Sequence, residues 1–340
     1  MADQWDPVPG WLNTASYGLP PQVAWDELQS ALADWRVGRI SWEAWDESTG
    51  RARAAFARLV GVDPGDVAVG AAVSQLLGPV AAALPDRARV LVADQDFSSV
   101  VFPWLVQAER GVVTDAVPVA QLAEAIRPDT DVVAFSLVQS ANGVVAPYAE
   151  IVAAARASGA MVVVDATQAC GWLPFDAGLA DVVLVGAYKW LMSPRGTAFG
   201  YLSPAVQDRT RPLAAGWYAG HDPRGSYYGP PMDLAKNARR FDTSPAWFSW
   251  VGTAPAVELV EKVGVDRIHD HNLALANRFL AGLGQPSGDS AIVTVDVAGA
   301  QEKLAAAGVR AAVRAGRVRA SFHIYSTERD VDLALDALTG

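Results

Sequence analysis

Two places in the chain join an apolar run directly to a side chain that can do chemistry. The first is Val182-Val-Leu-Val-Gly186-Ala-Tyr188-Lys189-Trp190, where a lysine follows closely on an aliphatic stretch. The chain has only four lysines, and Lys236, Lys262 and Lys303 lie in polar or helical surroundings that suit a solvated amine. Lys189 is flanked instead by Tyr188, Trp190, Leu191 and Met192. Such neighbours strip water from the amine, lower its pKa and free a neutral nucleophile near neutral pH. A lysine snorkelling from the edge of a sheet fits the same residues. The second place is Met161-Val-Val-Val-Asp165-Ala-Thr-Gln168, a buried-type strand that ends in a carboxylate. Asp165 suits a helix cap or a turn, and equally a charge held against a ligand. Ligands of open parallel sheets bind at the carboxyl ends of strands, which is where both residues fall.

The elements that must position them follow from periodicity. From Ser41, the apolar residues Trp42, Trp45, Ala52, Phe56 and Leu59 recur at three- and four-residue steps, which predicts an amphipathic helix ending at Gly61. Strand-like runs follow at 67–69, 89–93, 112–117, 131–136, 161–164 and 182–185, with helical patterns between most of them, as at 76–84 and 149–157. This alternation predicts an α/β fold with a mainly parallel sheet covered on both faces. The stretch 214–231, AAGWYAGHDPRGSYYGPP, has neither period and reads as a long ordered loop. Helical patterns at 256–263, 266–283, 301–307 and 328–338, with strands at 291–295 and 317–322, predict a smaller α+β C-terminal domain. The expected division is an N-terminal segment 1–40 packing with the small domain and the active site, a large domain 41–250 and a small domain 251–340.

Composition narrows the classes. A chain of 340 residues that is 51% hydrophobic and 19% charged can bury a substantial core. A net charge of −10 argues against nucleic acid or an anionic membrane as partner, because either needs basic surface. No signal peptide or membrane span is expected, since the longest apolar run, near 71–84, is broken by Ser74, Gln75 and Pro79. Cys170 is the only cysteine, which excludes an internal disulfide and points to the cytoplasm. His221, His269, His271 and His323 are not spaced as ligands, so no metal is expected. The chain also lacks a G-x-G-x-x-G turn, a Walker A motif and a G-x-S-x-G elbow.

Asp165 and Lys189 gain meaning together. DATQA at 165–169, GAYKWLMSPRGTAFGYL at 186–202, RFDTSP at 240–245 and VRASFHIYSTERDVD at 318–332 resemble the class V aminotransferase family of fold type I pyridoxal 5′-phosphate (PLP) enzymes. That family includes cysteine desulfurases, kynureninases and isopenicillin N epimerase-like proteins. The resemblance runs over nearly the whole chain and implies a seven-stranded sheet. It makes Lys189 the Schiff-base lysine and proton shuttle. Asp165 would face the pyridine nitrogen and keep it protonated, since an adjacent carboxylate favours the cation. Gln168 would bond near the phenolic oxygen of the ring.

The resemblance also implies the remaining contacts. Val69-Gly-Ala-Ala72-Val73-Ser74-Gln75 aligns with the phosphate cup at a helix N-terminus, with Ala72 and Val73 in place of the family's hydroxyls. The N–H groups of Val73 and Ser74 and the Ser74 hydroxyl are then expected to bind phosphate, although Ser74 also suits a plain N-cap. Tyr188 looks like the kynureninase tyrosine that reaches the phosphate. Phe97 would stack on the ring, with a core phenylalanine as the competing reading. Ser140 falls where relatives carry Asn near the cofactor oxygen. Arg319 matches the arginine that grips the substrate carboxylate, and Asn13, Ala15 and Ser16 belong to the segment that closes over the substrate. Ser244 matches a region that reaches the phosphate of a neighbouring subunit, which implies a homodimer.

The reaction is less legible, because transamination, racemisation and elimination start alike and fold does not choose among them. A desulfurase needs a cysteine on the loop before the Arg319 strand, and residues 308–316 contain none. The expected enzyme is therefore aminotransferase-like at the α-carbon of an amino acid, with a C–S or C–C lyase, an epimerase, and a noncatalytic ligand-binding protein as alternatives.

Overall fold

The computed structural model describes residues 4–314 and 316–340. After helix α1 (Gln22–Arg36), helix α2 (Trp42–Val60) stops where Gly61 turns left-handed at φ +75°. The chain then alternates through β1 (Val67–Gly70), α3 (Val73–Ala82), β2 (Arg89–Ala93), α4 (Ser98–Leu105), β3 (Val113–Val117), α5 (Leu122–Ala125), β4 (Val132–Ser136) and α6 (Tyr148–Ser158). Strands β5 (Met161–Asp165), β6 (Val182–Gly186) and β7 (Ala198–Leu202) follow, then α7 (Pro204–Arg209), α8 (Trp247–Val263) and α9 (Val265–Gly282). A second unit comprises β8 (Ile292–Val295), α10 (Ala300–Ala306), β9 (Ala312–Arg314), β10 (Arg317–Ser321) and α11 (Glu328–Thr339).

The large sheet has seven strands in the order β1-β7-β6-β5-β4-β2-β3, all pointing one way except β7, which is antiparallel to both neighbours. Its central strands are buried on both faces, as the unbroken aliphatic runs require. Alternate residues feed two cores. Val133, Phe135, Val164 and Val185 pack under α2, α6 and α8, while Val92, Ala134, Val163 and Leu184 pack under α3 and α4. Phe56 of α2 stacks on Phe199 of β7 at 4.4 Å, and Trp250 of α8 meets the same ring edge-on at 5.3 Å.

The smaller sheet is antiparallel in the order β8-β10-β9. Leu275 and Phe279 of α9, Leu304 of α10 and Val331 of α11 build a third core against it. Leu12 is buried in that core, and the N-terminal segment bridges to it at Trp11–Arg310 and Asn13–Ser321.

Several elements depart from the sequence expectation, among them α8, which starts at Trp247 rather than at 256. Strand β7 was hidden by Gly200 within a short run, and β9 is three residues long. Helix α4 carries Pro103 within it, and α1 follows Pro21 without a side-chain cap, so neither has its ordinary start or interior signal. The loop 214–231 holds a single 3₁₀ turn at Trp217–Ala219. Among the described residues, no helix is long and apolar enough to cross a membrane.

Candidate active site

All parallel strands end along one edge of the large sheet, and a cavity of about 330 Å³ opens there, within the range of small-molecule sites. Every parallel strand end but that of β3 contributes. From β1 come Ala71, Ala72 and Val73; from β2, Phe97; from β4, Ser136 and Ser140; from β5, Asp165, Thr167 and Gln168; from β6, Gly186, Tyr188 and Lys189. Seven of the residues expected from sequence thus share one cavity: Val73, Phe97, Ser140, Asp165, Gln168, Tyr188 and Lys189.

Lys189 is buried, with Nζ 5.3 Å from the centroid of Phe97 and 5.6 Å from that of Tyr188. Burial lowers its pKa to about 8; Asp165 opposes the fall, and Arg319 adds to it. Its loop is held from two sides. Gly18 donates its N–H to the Tyr188 carbonyl at 3.0 Å, and any Cβ at Gly18 would sit 1.9 Å from the Lys189 oxygen. His323 bonds through Nε2 to the Trp190 carbonyl at 2.9 Å, which requires the Nε2–H tautomer. Burial keeps that imidazole neutral by lowering its pKa to about 3.

Asp165 is 4% exposed and forms no ion pair among the described residues. One oxygen accepts the Thr167 N–H at 2.8 Å. Desolvation raises its pKa against the pull of the Thr167 hydrogen bonds, and the nearby carboxylate of Asp96 adds to the rise. A buried carboxylate in this state calls for a cation beside it.

Gln168 already spends both amide hydrogens, donating to the Ala15 carbonyl at 2.9 Å and to Ser140 Oγ at 3.0 Å, and its oxygen accepts from Trp190 Nε1 at 2.8 Å. Arg319 is 1% exposed. It donates from one terminal nitrogen to the Ser140 carbonyl and to Ser140 Oγ, and from the other to Ser16 Oγ at 2.9 Å, while its Nε–H is buried without a partner. Desolvation, then Arg314, brings its pKa down to about 10. Arg319, Ala15 and Ser16 therefore back the cavity wall through Ser140 and Gln168. Asn13 lies next to them, its carbonyl accepting from Ser16 and Tyr17, with its buried Oδ1 unpaired.

Six expected residues lie outside the lining: Asn13, Ala15, Ser16 and Arg319, which stand behind it, and Ser74 and Ser244. Ser74 is exposed on the first turn of α3, where the N–H groups of Val73 and Ser74 have no partner among the described residues. Ser244 is exposed beyond Thr243, whose Oγ1 accepts from Gln75 at 3.0 Å. The structure adds groups that the sequence reading passed over. Asp96 accepts from the N–H groups of Ser136 and Phe97 at 2.7 Å each, tying the Phe97 turn to the end of β4. Thr167 accepts the Gly186 N–H at 2.8 Å, joining the ends of β5 and β6. Arg195 and Thr197, before β7, also line the cavity. A lone Asp or Arg in a loop carries no sequence signal for such placement.

A family model described as aminotransferase class-V matches residues 69–310. The chain belongs to that family. Its members are PLP-dependent, and this chain is a PLP-dependent enzyme of amino-acid chemistry. It is 29% identical to an uncharacterized aminotransferase, YcbU, of Bacillus subtilis, over 88% of this chain and 85% of the relative. It is 27% identical to the isopenicillin N epimerase of Streptomyces clavuligerus, over 98% and 96%. Among solved structures, a lysine-to-alanine variant of C-DES with glycine covalently linked to PLP superposes with a TM-score of 0.87 at 20% identity, over 97% of this chain and 96% of that one. That likeness shows the fold. The chemistry of the cavity fits PLP independently: a desolvated amine, an unpaired buried carboxylate and free N–H groups at a helix start surround one space.

Proposed function

We propose that the cavity holds PLP covalently on Lys189 and acts at the α-carbon of a small amino acid, with transamination as its reaction. The observation that carries this reading is the buried, partly neutralised Lys189 sharing a cavity with the buried, unpaired Asp165. When bound, PLP supplies an electron-poor ring that absorbs negative charge developing at the substrate α-carbon. Asp165 holds the proton on the ring nitrogen, which also gives its own charge the partner it lacks. Phe97 covers the ring with an apolar face and has no proton to exchange, so Lys189 carries the proton to and from the α-carbon.

Ser140 takes the contact to the phenolic oxygen. Both lone pairs of its Oγ are engaged by Gln168 and Arg319, which leaves its O–H to donate into the cavity. Gln168 acts through Ser140 and by holding Ala15 and Trp190 in place. Arg319, behind Ser140, offers the substrate carboxylate its buried, unpartnered Nε–H, with Ser16, Ala15 and Asn13 beside it. The N–H groups of Val73 and Ser74, with Tyr188, receive the phosphate.

Cys170 supports setting persulfide chemistry aside. It is 1% exposed, burial pushes its thiol well above the usual range, and no other cysteine exists. The exposed apolar residues Phe97, at the cavity, and Phe102, Leu105 and Val106, along and just after α4, support a second copy covering this face, where Ser244 of one protomer would serve the other. An epimerase or C–S lyase is the second reading, carried by the full-length match to isopenicillin N epimerase. Amino acids screened with pyruvate and 2-oxoglutarate decide between them. Keto-acid consumption matched to a new amino acid is expected; ammonia, thiol or D-isomer without it would overturn transamination.

A further inference from the structure

Strand β7 is the one reversed strand of the large sheet, so its entry reaches the cavity where the other strands present their exits. Ala198 is in register with Gly70 of β1 on one side and Gly186 of β6 on the other. The residues just before it are therefore wedged between the start of α3 and the Tyr188–Lys189 loop, and Arg195, Gly196 and Thr197 all line the cavity. The Arg195 guanidinium lies 4.8 Å from the Tyr188 ring centroid. Its backbone carbonyl is anchored by Ser249 Oγ at 3.0 Å, yet among the described residues the guanidinium forms no ion pair or hydrogen bond.

Across from it, the start of α3 brings backbone donors and little else. Ala71, Ala72 and Val73 have no hydroxyl, β6 ends in Gly186, and the Gln75 side chain is turned back to the Ala71 N–H and Thr243. A phosphate monoester carries a charge of about −1.5 to −2 at neutral pH, against roughly +0.5 at a helix start. Most of that charge has no partner in the cup. A guanidinium lying over an aromatic ring and presenting a fork of donors is the group that matches it.

We propose that Arg195 binds the phosphate group of the cofactor, standing in for the hydroxyls that Ala72 and Val73 lack; this rests on the reading that PLP sits on Lys189. An anionic group at the far end of a substrate has the same chemistry, and one experiment separates the two. Cofactor-free full-length protein is titrated with PLP and with pyridoxal, which lacks the phosphate, following visible absorbance, for the wild type, Arg195→Ala and Arg195→Lys. Arg195 is exposed, so the variants should fold, and circular dichroism checks this.

Arg195→Ala should weaken PLP by about tenfold or more while leaving pyridoxal within about twofold, with Arg195→Lys in between. Equal loss for both ligands would mean a structural role and overturn the proposal. So would unchanged PLP affinity with a raised KM for acidic amino acids, which would make Arg195 a substrate contact. Wild-type protein that bound neither ligand would overturn the cofactor site and this proposal together.

Discussion

Burial disfavours charge on Lys189 and on Asp165 alike, and the two consequences differ in use. For Lys189 it frees the nucleophile. In cofactor-free protein, the rate of covalent PLP attachment should climb with pH and level off above about 8; a climb that continued to the ordinary lysine value of 10.5 would contradict a desolvated amine. For Asp165 burial raises the pKa above that of the unfolded chain, so the folded state binds the extra proton more tightly. Its contribution is then favourable in acid and becomes a cost as pH rises through the folded value. Replacing Asp165 with Asn should raise the melting temperature of the cofactor-free protein at pH 7, with the gain shrinking as pH falls. The same variant should keep PLP attached to Lys189 yet lose most turnover, because a neutral amide does not hold the ring proton. A variant as active as the wild type would remove Asp165 from its role. Lys189 and Asp165 were both legible in sequence because Asp165 ends an aliphatic strand and Lys189 follows closely on another. Asp96 and Arg195 were not, because a loop carboxylate and a loop arginine gain their surroundings only from strands distant in sequence.

Among the elements, the loop after β4 shows how the site is held at its far wall. It runs through Ser140 and turns at Gly143, where φ is +82° and an added Cβ would lie 2.1 Å from the Ile292 carbonyl of β8. Only glycine meets both conditions, so the loop presses the small sheet against the cavity and delivers Ser140 to Arg319. Gly143→Ala should destabilise the protein by about 2–4 kcal/mol in urea unfolding, from left-handed backbone plus the backbone clash. A loss within experimental error would mean that the loop is free of β8. The strands of this wall were readable from aliphatic runs such as Val132–Ser136, since strands buried on both faces need no alternation. Strand β7 was not, and its reversal is what carries Arg195 into the cavity.

Across the whole molecule, the cavity is closed by chain segments far apart in sequence. The N-terminal segment crosses from the small sheet to the Lys189 loop, through Leu12 in one core and Gly18 against Lys189 in the other. We propose that this segment couples the two units, and that their division falls at Gly264 between α8 and α9 rather than at 251, because Trp250, Ala254 and Val257 of α8 pack on the large sheet. Such a division leaves Lys189 and Asp165 on the large unit and Arg319 on the small one, so relative motion of the units would change access to the substrate carboxylate. The chemistry of the whole cavity depends on one covalent attachment. Purified protein incubated with PLP should absorb in the visible, lose that absorbance on borohydride reduction, and yield a single pyridoxyl-labelled peptide bearing the label on Lys189, with no label in Lys189→Ala. Labelling at another lysine, or trapping that persists in Lys189→Ala, would contradict it.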